Sequence, residues 1–354
     1  MKRITLCALF LTLFLLLSCG SGSASAEDPK TTFLTSIANL GKGFLDVFTS
    51  LSDMVAGAFG IKADTKKSDI GNYFTSIETT MTSVKKKLQT EVAKNGNYSK
   101  IKSVVDTFIT NTLDKIAEGA KLVASGATGD DKIGNAVKDA QDAAPADKTA
   151  VNSLVKGIKE IVEIVLKDNE GNADANGAKI EDTERKSIGR LLSTNANAGE
   201  EKHAGAASAS IGAVTGADIL KAIAISKEDP KVNNAEGINA AKDAAEIAIA
   251  PAVDGKQEIK EVAKKDAVIA AGIALRAMAK DGKFAAKNEE KSANAVNGAA
   301  ASAVGKTLST LIIAIRNTVD SGLKTISESL AAVKQEDKSA DSTTPTDVTA
   351  GGQQ

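Results

Sequence analysis

The stretch of sequence that decides the fold is Leu308–Val333, LSTLIIAIRNTVDSGLKTISESLAAV. Apolar residues and one glycine recur in it every three or four positions, the spacing that places them on one face of an α-helix. These positions are Leu308, Ile312, Ile315, Val319, Gly322, Ile326, Leu330 and Val333. An apolar face of this kind faces the core in a folded protein, so the stretch predicts a long helix that packs against a partner.

A second stripe with the same spacing lies near the start of the chain. It consists of Phe33, Ile37, Leu40, Phe44, Val47, Leu51, Met54 and Ala58. The simplest arrangement packs the two terminal helices against each other, as in helical bundles. Pairing between copies of the chain is the alternative, and the oligomeric state stays open.

Three further helices are predicted between the stripes, at 68–94, 99–124 and 148–167, from apolar residues at helical spacing. Clusters of Gly, Asn, Asp and Pro separate them. From about 195 to 300 the chain is rich in Ala, Gly, Asn, Asp and Lys, which predicts short helices joined by exposed loops. Alanine buries little area, so we expect this middle section to make few side-chain contacts.

The predicted fold class is therefore all-α. It is an elongated helical bundle with paired N- and C-terminal helices and with shorter Ala-rich helices and loops at the far end. No segment alternates apolar and polar residues as a half-buried strand does, so a sheet is not expected.

The first residues carry the pattern of an export signal. Lys2 and Arg3 precede an uncharged apolar run, Ile4–Leu17, and the small residue Ser18 precedes Cys19. This is the order of parts in a secretory signal peptide. The run is shorter than the roughly 20 residues that a transmembrane helix needs, so a retained span is not expected.

A cysteine directly after the small residue indicates a lipoprotein. In such proteins the thiol, here that of Cys19, receives a diacylglyceryl group, the chain is cleaved before the cysteine, and the new amine is acylated, usually with palmitate. Two or more acyl chains anchor a protein stably, whereas one holds it only marginally. The alternative is ordinary cleavage after Ala24-Ser25-Ala26, which would release a soluble protein.

Four segments follow from these patterns. They are a signal peptide at 1–18, a lipidated flexible tether at 19–30, a single all-helical domain at 31–335, and a tail at 336–354. The tail has no apolar periodicity and is expected to be disordered.

The composition argues against several classes of function. The chain has 44 Lys and Arg against 45 Asp and Glu, which is not the basic excess of a nucleic-acid-binding protein. The single histidine, His203, excludes a multi-histidine zinc site and is interpreted as a surface residue. Gly305-Lys306-Thr307 lacks the earlier glycine of a phosphate-binding loop. Residues 168–179 lack the glycine and final glutamate of a calcium loop. No catalytic, cofactor or metal site is predicted.

One basic cluster, Lys85, Lys86 and Lys87, is a candidate contact for a polyanion. It lies between the apolar residues Val84 and Leu88, so the plainer interpretation is the solvated face of an amphipathic helix. If the protein is an adhesin for host glycosaminoglycan or matrix, these lysines and the segment Lys256–Lys265 are the candidate contacts.

Two longer segments carry a family resemblance. The segment Lys264–Phe284, KKDAVIAAGIALRAMAKDGKF, and the run Thr307–Lys324, TLSTLIIAIRNTVDSGLK, resemble segments of the variable large proteins of relapsing-fever Borrelia. That family is related to the recombining variable surface lipoprotein of Lyme-disease Borrelia. The signal ending at Cys19 and the opening helix Phe33–Ile37 fit the same resemblance, which covers nearly the whole chain.

The resemblance implies a replaceable surface antigen. Proteins of this family are anchored in the outer membrane, face the exterior and meet host antibodies, and gene rearrangement replaces one serotype with another. It also implies that the terminal helices pair near the membrane, that the middle of the chain is distal, and that no catalytic residue is present. We expect sequence differences between variants to collect at about 125–150, 168–180 and 195–260.

Overall fold

A computed structural model describes residues 60–94, 99–139, 141–260 and 263–332, together with Thr31 and Thr35. Within these residues the fold is helical, and strand-like pairing is limited to isolated bridges such as Lys66–Lys132. The helices are α1 (Lys67–Lys94), α2 (Ser99–Phe108), α3 (Asp114–Gly126), α4 (Lys148–Val165), α5 (Asp182–Ser187), α6 (Glu201–Ala213), α7 (Gly216–Ala224), α8 (Ala244–Ile249), α9 (Asp266–Met278) and α10 (Glu290–Ala331). The all-α prediction is confirmed.

The three helices predicted between the stripes are confirmed. The first is α1, and the second is α2 and α3, joined without a break by a π-helical turn at Ile109–Leu113. The third, α4, begins where the carboxylate of Asp147 accepts a hydrogen bond from the backbone N–H of Ala150, 2.7 Å away. The predicted N-terminal stripe and the C-terminal tail lie outside the described residues, so the pairing of the terminal helices stays a prediction.

Helices α3 and α4 approach each other through two glycines. A Cβ atom on Gly157 would lie 2.4 Å from the carbonyl oxygen of Gly119, and one on Gly119 would lie 2.7 Å from the oxygen of Gly157. No side chain fits between backbones at these distances. The glycines therefore set the spacing of the helix pair that forms one side of the core.

The C-terminal helix α10 is longer than its stripe predicted. Its 42 residues span about 63 Å at the rise of an α-helix. Residues 290–300 belong to it, so the prediction that short helices and loops continue to residue 300 is wrong there. The extra turns are rich in alanine, which favours helix, and they bury Val296 and Ala299. Glu290–Ile326 is long and apolar enough to span a membrane, but it packs against α6, α7 and α9 as a core helix does.

Helix α9 is the centre of the core, and this corrects a second expectation. Every residue from Asp266 to Met278 is buried, and so is every residue of α8. The two helices meet at Gly272, where a Cβ atom would lie 2.5 Å from Cγ2 of Ile247. The expectation of few side-chain contacts in the Ala-rich middle is therefore wrong, because small side chains allow neighbours to approach α9 from all sides.

Candidate functional surfaces

Of the two sites singled out from the sequence, the structure describes the lysine cluster but not Cys19. Cys19 and its tether lie outside the described residues, so lipid attachment stays a prediction. The lysine cluster lies on α1 between the buried residues Val84 and Leu88. Lys86 and Lys87 are exposed, whereas the ammonium of Lys85 lies 2.7 Å and 2.8 Å from the carboxylate oxygens of Asp114 on α3. The cluster is the solvated face of an amphipathic helix, with one lysine already paired.

The segment Lys256–Lys265 is also partly neutralised by carboxylates. Lys256 lies 2.9 Å from Glu236, Lys260 lies 2.8 Å from Glu258, and Lys264 pairs with Asp182. A polyanion would have to compete with these ion pairs. The geometry of both basic segments therefore gives the adhesin interpretation no support.

His203 is not a surface residue, contrary to the sequence interpretation. Its side chain is buried in the first turn of α6, and its Nδ1 atom accepts a hydrogen bond from the backbone N–H of Glu200, 2.9 Å away. Burial, aided by the charges of Arg190 and Lys202, lowers the pKa of His203 to about 4. The histidine is thus neutral at physiological pH and caps a helix. The spacing of Glu200 and His203 matches a capping box, with histidine where glutamate is usual.

Lys306, the lysine of the Gly305-Lys306-Thr307 motif, has a structural role. Its ammonium donates hydrogen bonds to the carbonyl oxygens of Ile211 at 2.8 Å and Val214 at 2.5 Å. These carbonyls lie at the C-terminal end of α6, where a helix leaves carbonyl groups without intrahelical partners. Within the described residues, no group of His, Cys, Asp or Glu side chains could hold a metal ion.

A buried ion pair holds the N-terminal end of α9, and sequence reasoning missed it. Arg185 of α5 pairs with Asp266, and both side chains are almost fully buried. Asp266 also accepts a hydrogen bond from the backbone N–H of Ala178 at 2.7 Å. Arg185 donates to Oδ1 of Asn176 at 2.7 Å and to the carbonyl of Ala178 at 2.9 Å. These contacts fix the exposed loop 166–181 to the core.

Two buried basic side chains hold the C-terminal end of α9. Lys67 donates hydrogen bonds to the carbonyl oxygens of Ala279 at 2.5 Å and Gly282 at 2.8 Å. Arg276 donates to the carbonyl of Lys283 at 3.0 Å and to that of Ala250, beyond α8, at 2.9 Å. Carbonyl groups that follow α8 and α9 therefore receive hydrogen bonds from these two buried side chains.

The burial of Lys67 predicts a pH dependence of stability. Desolvation lowers the pKa of Lys67 from 10.5 to about 7. Between these values the unfolded chain binds more protons than the folded one, so this residue makes the free energy of unfolding rise as the pH rises. At its steepest the rise is roughly 1.4 kcal/mol per pH unit, and it ends near the unfolded pKa.

Lys67→Met removes this titration. The free energy of unfolding, measured with denaturant from neutral to alkaline pH, should therefore rise less steeply in the variant than in the wild-type protein. Other groups titrate equally in both proteins, so the difference between the two slopes isolates Lys67. Parallel curves for the two proteins would show that the lysine does not lose its proton in this range.

The exposed surface is divided among several loops that the core holds in place. In the described part of the chain, the loops 127–139, 166–181, 225–236 and 251–260 are largely exposed or half-exposed. The expected variable segments 125–150 and 168–180 overlap the first two loops. The third expected variable segment, 195–260, contains both exposed and buried residues, because α7 and α8 within it are mostly buried. The arrangement presents exposed loops on a buried core.

Comparison with known proteins gives consistent matches over most of the chain. A family model described as Borrelia lipoprotein matches residues 44–330. Variable large protein 4 of Borrelia hermsii is 67% identical over 350 residues, which is 98% of each chain. Variable large protein 17 of the same species is 65% identical over 357 residues, and the match covers 100% of this chain and 99% of that protein.

A solved structure is similar as well. The crystal structure of the Lyme disease variable surface antigen VlsE of Borrelia burgdorferi is 36% identical, with a TM-score of 0.69. The match covers 84% of this chain and 99% of that one. The helical fold is therefore shared with a surface antigen of known structure.

Proposed function

The chain belongs to the Borrelia lipoprotein family, and from this membership we propose that it is a surface lipoprotein antigen that serves in antigenic variation. The observation that carries the proposal is the similarity to variable large proteins over the full length of the chain. One serotype's protein covers the cell until another replaces it, and host antibodies against the first then lose their target. The family is one of surface antigens and is not known for catalysis.

The arrangement of the described residues suits this function. The core is fixed by α9, by the glycines between α3 and α4, and by buried polar contacts at both ends of α9. The loops around it are exposed, and substitutions at exposed positions typically shift stability within about ±0.5 kcal/mol. Antibody contact surfaces on these loops can therefore change at little cost to folding.

The proposal is tested by sequencing the expressed gene in successive isolates from one infection. Differences between serotypes should collect in the exposed loops, 127–139, 166–181, 225–236 and 251–260, and should spare α9. Substitutions spread evenly over buried and exposed positions would contradict a role in antibody evasion. Surface digestion of intact cells supplies a second measurement, because protease added outside the cell should remove the protein.

We further propose that lipid on Cys19 anchors the protein to the outer membrane, facing the exterior. The support is the signal pattern, with an apolar run followed by Ser18 and Cys19, together with membership of a lipoprotein family. The segment 19–30 would then tether the folded body to the lipid. The adhesin alternative is not proposed, since the family matches do not support it and the basic segments are partly paired.

Cys19→Ala is expected to abolish lipid attachment, because no other cysteine remains after cleavage of the signal. The measurement is labelling of the cells with radioactive palmitate, followed by detergent phase separation of the protein. Cys7→Ala is the matched control, since Cys7 lies within the signal and should not alter labelling. A mature protein that begins at Glu27 would contradict the lipid anchor and favour ordinary cleavage after Ala26.

A further inference from the structure

The exposed loop 166–181 contains the dipeptide Asn176–Gly177, and both residues are exposed. Asparagine followed by glycine is chemically labile, because a residue without a side chain lets the next backbone nitrogen reach the asparagine amide. The chain has three such dipeptides, at Asn95, Asn176 and Asn297. Asn95 lies outside the described residues, so only the surroundings of Asn176 and Asn297 can be compared.

The amide of Asn176 is held against a positive charge. Nη1 of Arg185 donates a hydrogen bond to Oδ1 of Asn176 at 2.7 Å, and Arg185 is almost fully buried. A guanidinium in this position withdraws electron density from the amide carbon and stabilises negative charge that develops on its oxygen during nucleophilic attack. The neighbouring nitrogen of Gly177 belongs to the same chain, so the attack is intramolecular.

We propose that Asn176 is a site of spontaneous deamidation in the folded protein, promoted by Arg185. The backbone nitrogen of Gly177 loses its proton to solvent base and attacks Cγ of Asn176, and ammonia leaves. The cyclic imide that results is then opened by water at either carbonyl, which yields aspartate or isoaspartate. In sum, one amide and one water become one carboxylic acid and one ammonia, without oxidant or reductant.

The modification changes both charge and backbone at this loop. Either product adds a negative charge to an exposed surface, beside the pair formed by Arg185 and Asp266. Isoaspartate also lengthens the backbone by one methylene at position 176, two residues before Ala178, whose N–H and carbonyl bind Asp266 and Arg185. The loop that the ion pair holds in place therefore becomes chemically heterogeneous with the age of the molecule.

The second dipeptide, Asn297–Gly298, provides an internal control. It lies within α10, and both polar atoms of the Asn297 side chain are bonded to the backbone of Ala136. Its Oδ1 atom accepts from the N–H of Ala136 at 2.8 Å, and its Nδ2 atom donates to the carbonyl at 2.9 Å. The regular helix and these two bonds keep the side chain away from the nitrogen of Gly298.

The test follows the purified, folded mature chain over time at mildly alkaline pH, with peptide mapping by mass spectrometry at both sites. Asn176 should deamidate faster than Asn297 by about tenfold or more, which corresponds to roughly 1.4 kcal/mol or more in activation free energy. Gly177→Ala should slow the reaction, and it should not disturb the fold, since a Cβ atom there would meet its nearest neighbour at 3.5 Å.

A second measurement in denaturant separates activation from simple exposure. In unfolded protein both dipeptides should react at similar rates, and Asn176 in the folded protein should react at least as fast as in the unfolded chain. A folded-state rate at Asn176 about tenfold below the unfolded rate would overturn the proposal, because Arg185 would then restrain the amide. Equal folded-state rates at Asn176 and Asn297 would overturn it too. Neither outcome bears on the antigen function, which the serotype comparison tests separately.

Discussion

Asp266→Asn is expected to lower the free energy of unfolding by about 3–5 kcal/mol, because it leaves the buried guanidinium of Arg185 without a counter-charge. The asparagine has nearly the same shape, so packing changes little and the effect is electrostatic. The measurement is equilibrium unfolding in denaturant, followed by circular dichroism. The loss should be accompanied by faster hydrogen exchange in the loop 166–181, which the pair holds against α9.

Two further variants make this prediction specific. Asp106→Asn removes the carboxylate of an exposed ion pair with Lys102 and should change stability by no more than about 1 kcal/mol. The double variant Arg185→Met with Asp266→Leu removes both buried charges and should recover most of the lost stability. If Asp266→Asn costs no more than Asp106→Asn, water reaches the pair and the ion pair does not hold the core.

Gly157→Val is expected to lower the free energy of unfolding by about 3 kcal/mol, because the valine side chain would enter the contact between α3 and α4. The atom in the way is the backbone oxygen of Gly119, which cannot move unless the whole helix moves. The measurement is the midpoint of denaturant unfolding compared with the wild-type protein.

Gly205→Val is the matched control for this substitution. Gly205 lies within a helix too, α6, but it is exposed and a Cβ atom there would meet nothing within 4 Å. Valine should therefore change stability by no more than about 1 kcal/mol at this position. Equal losses in both variants would indicate a general effect of valine in helices instead of a close crossing of α3 and α4.

The helices that could be predicted from the sequence are those that bury one face and expose the other. The spacing of Ile77, Met81, Val84 and Leu88 indicates α1 because the opposite face is polar and exposed. Helix α9 has no such contrast, since all of its sides are buried, and nearly half of its residues are Ala or Gly. Its composition therefore resembles that of the exposed Ala-rich segments, and periodicity could not separate the two.

The polar contacts of the core were beyond sequence reasoning for a different reason. Arg185 and Asp266 are separated by 81 positions, and Lys67 bonds to carbonyls more than 200 positions away. Nothing in the local pattern marks a lysine or an arginine as buried. His203 gave a local signal, since Glu200 and His203 have the spacing of a helix cap. The prediction of a lipid on Cys19, by contrast, rests on the local sequence alone.

The buried pair of Arg185 and Asp266 also restricts how new genes of this type can be assembled. Exchange of a gene segment with only one of its boundaries between codons 185 and 266 would take the two halves of the pair from different parents. The hybrid folds well only if the other parent encodes the same charge at the matching place. Changes to the two residues of this pair must therefore be inherited together, whereas an exchange with both boundaries between these codons, such as one of the loop 225–236, leaves the pair intact.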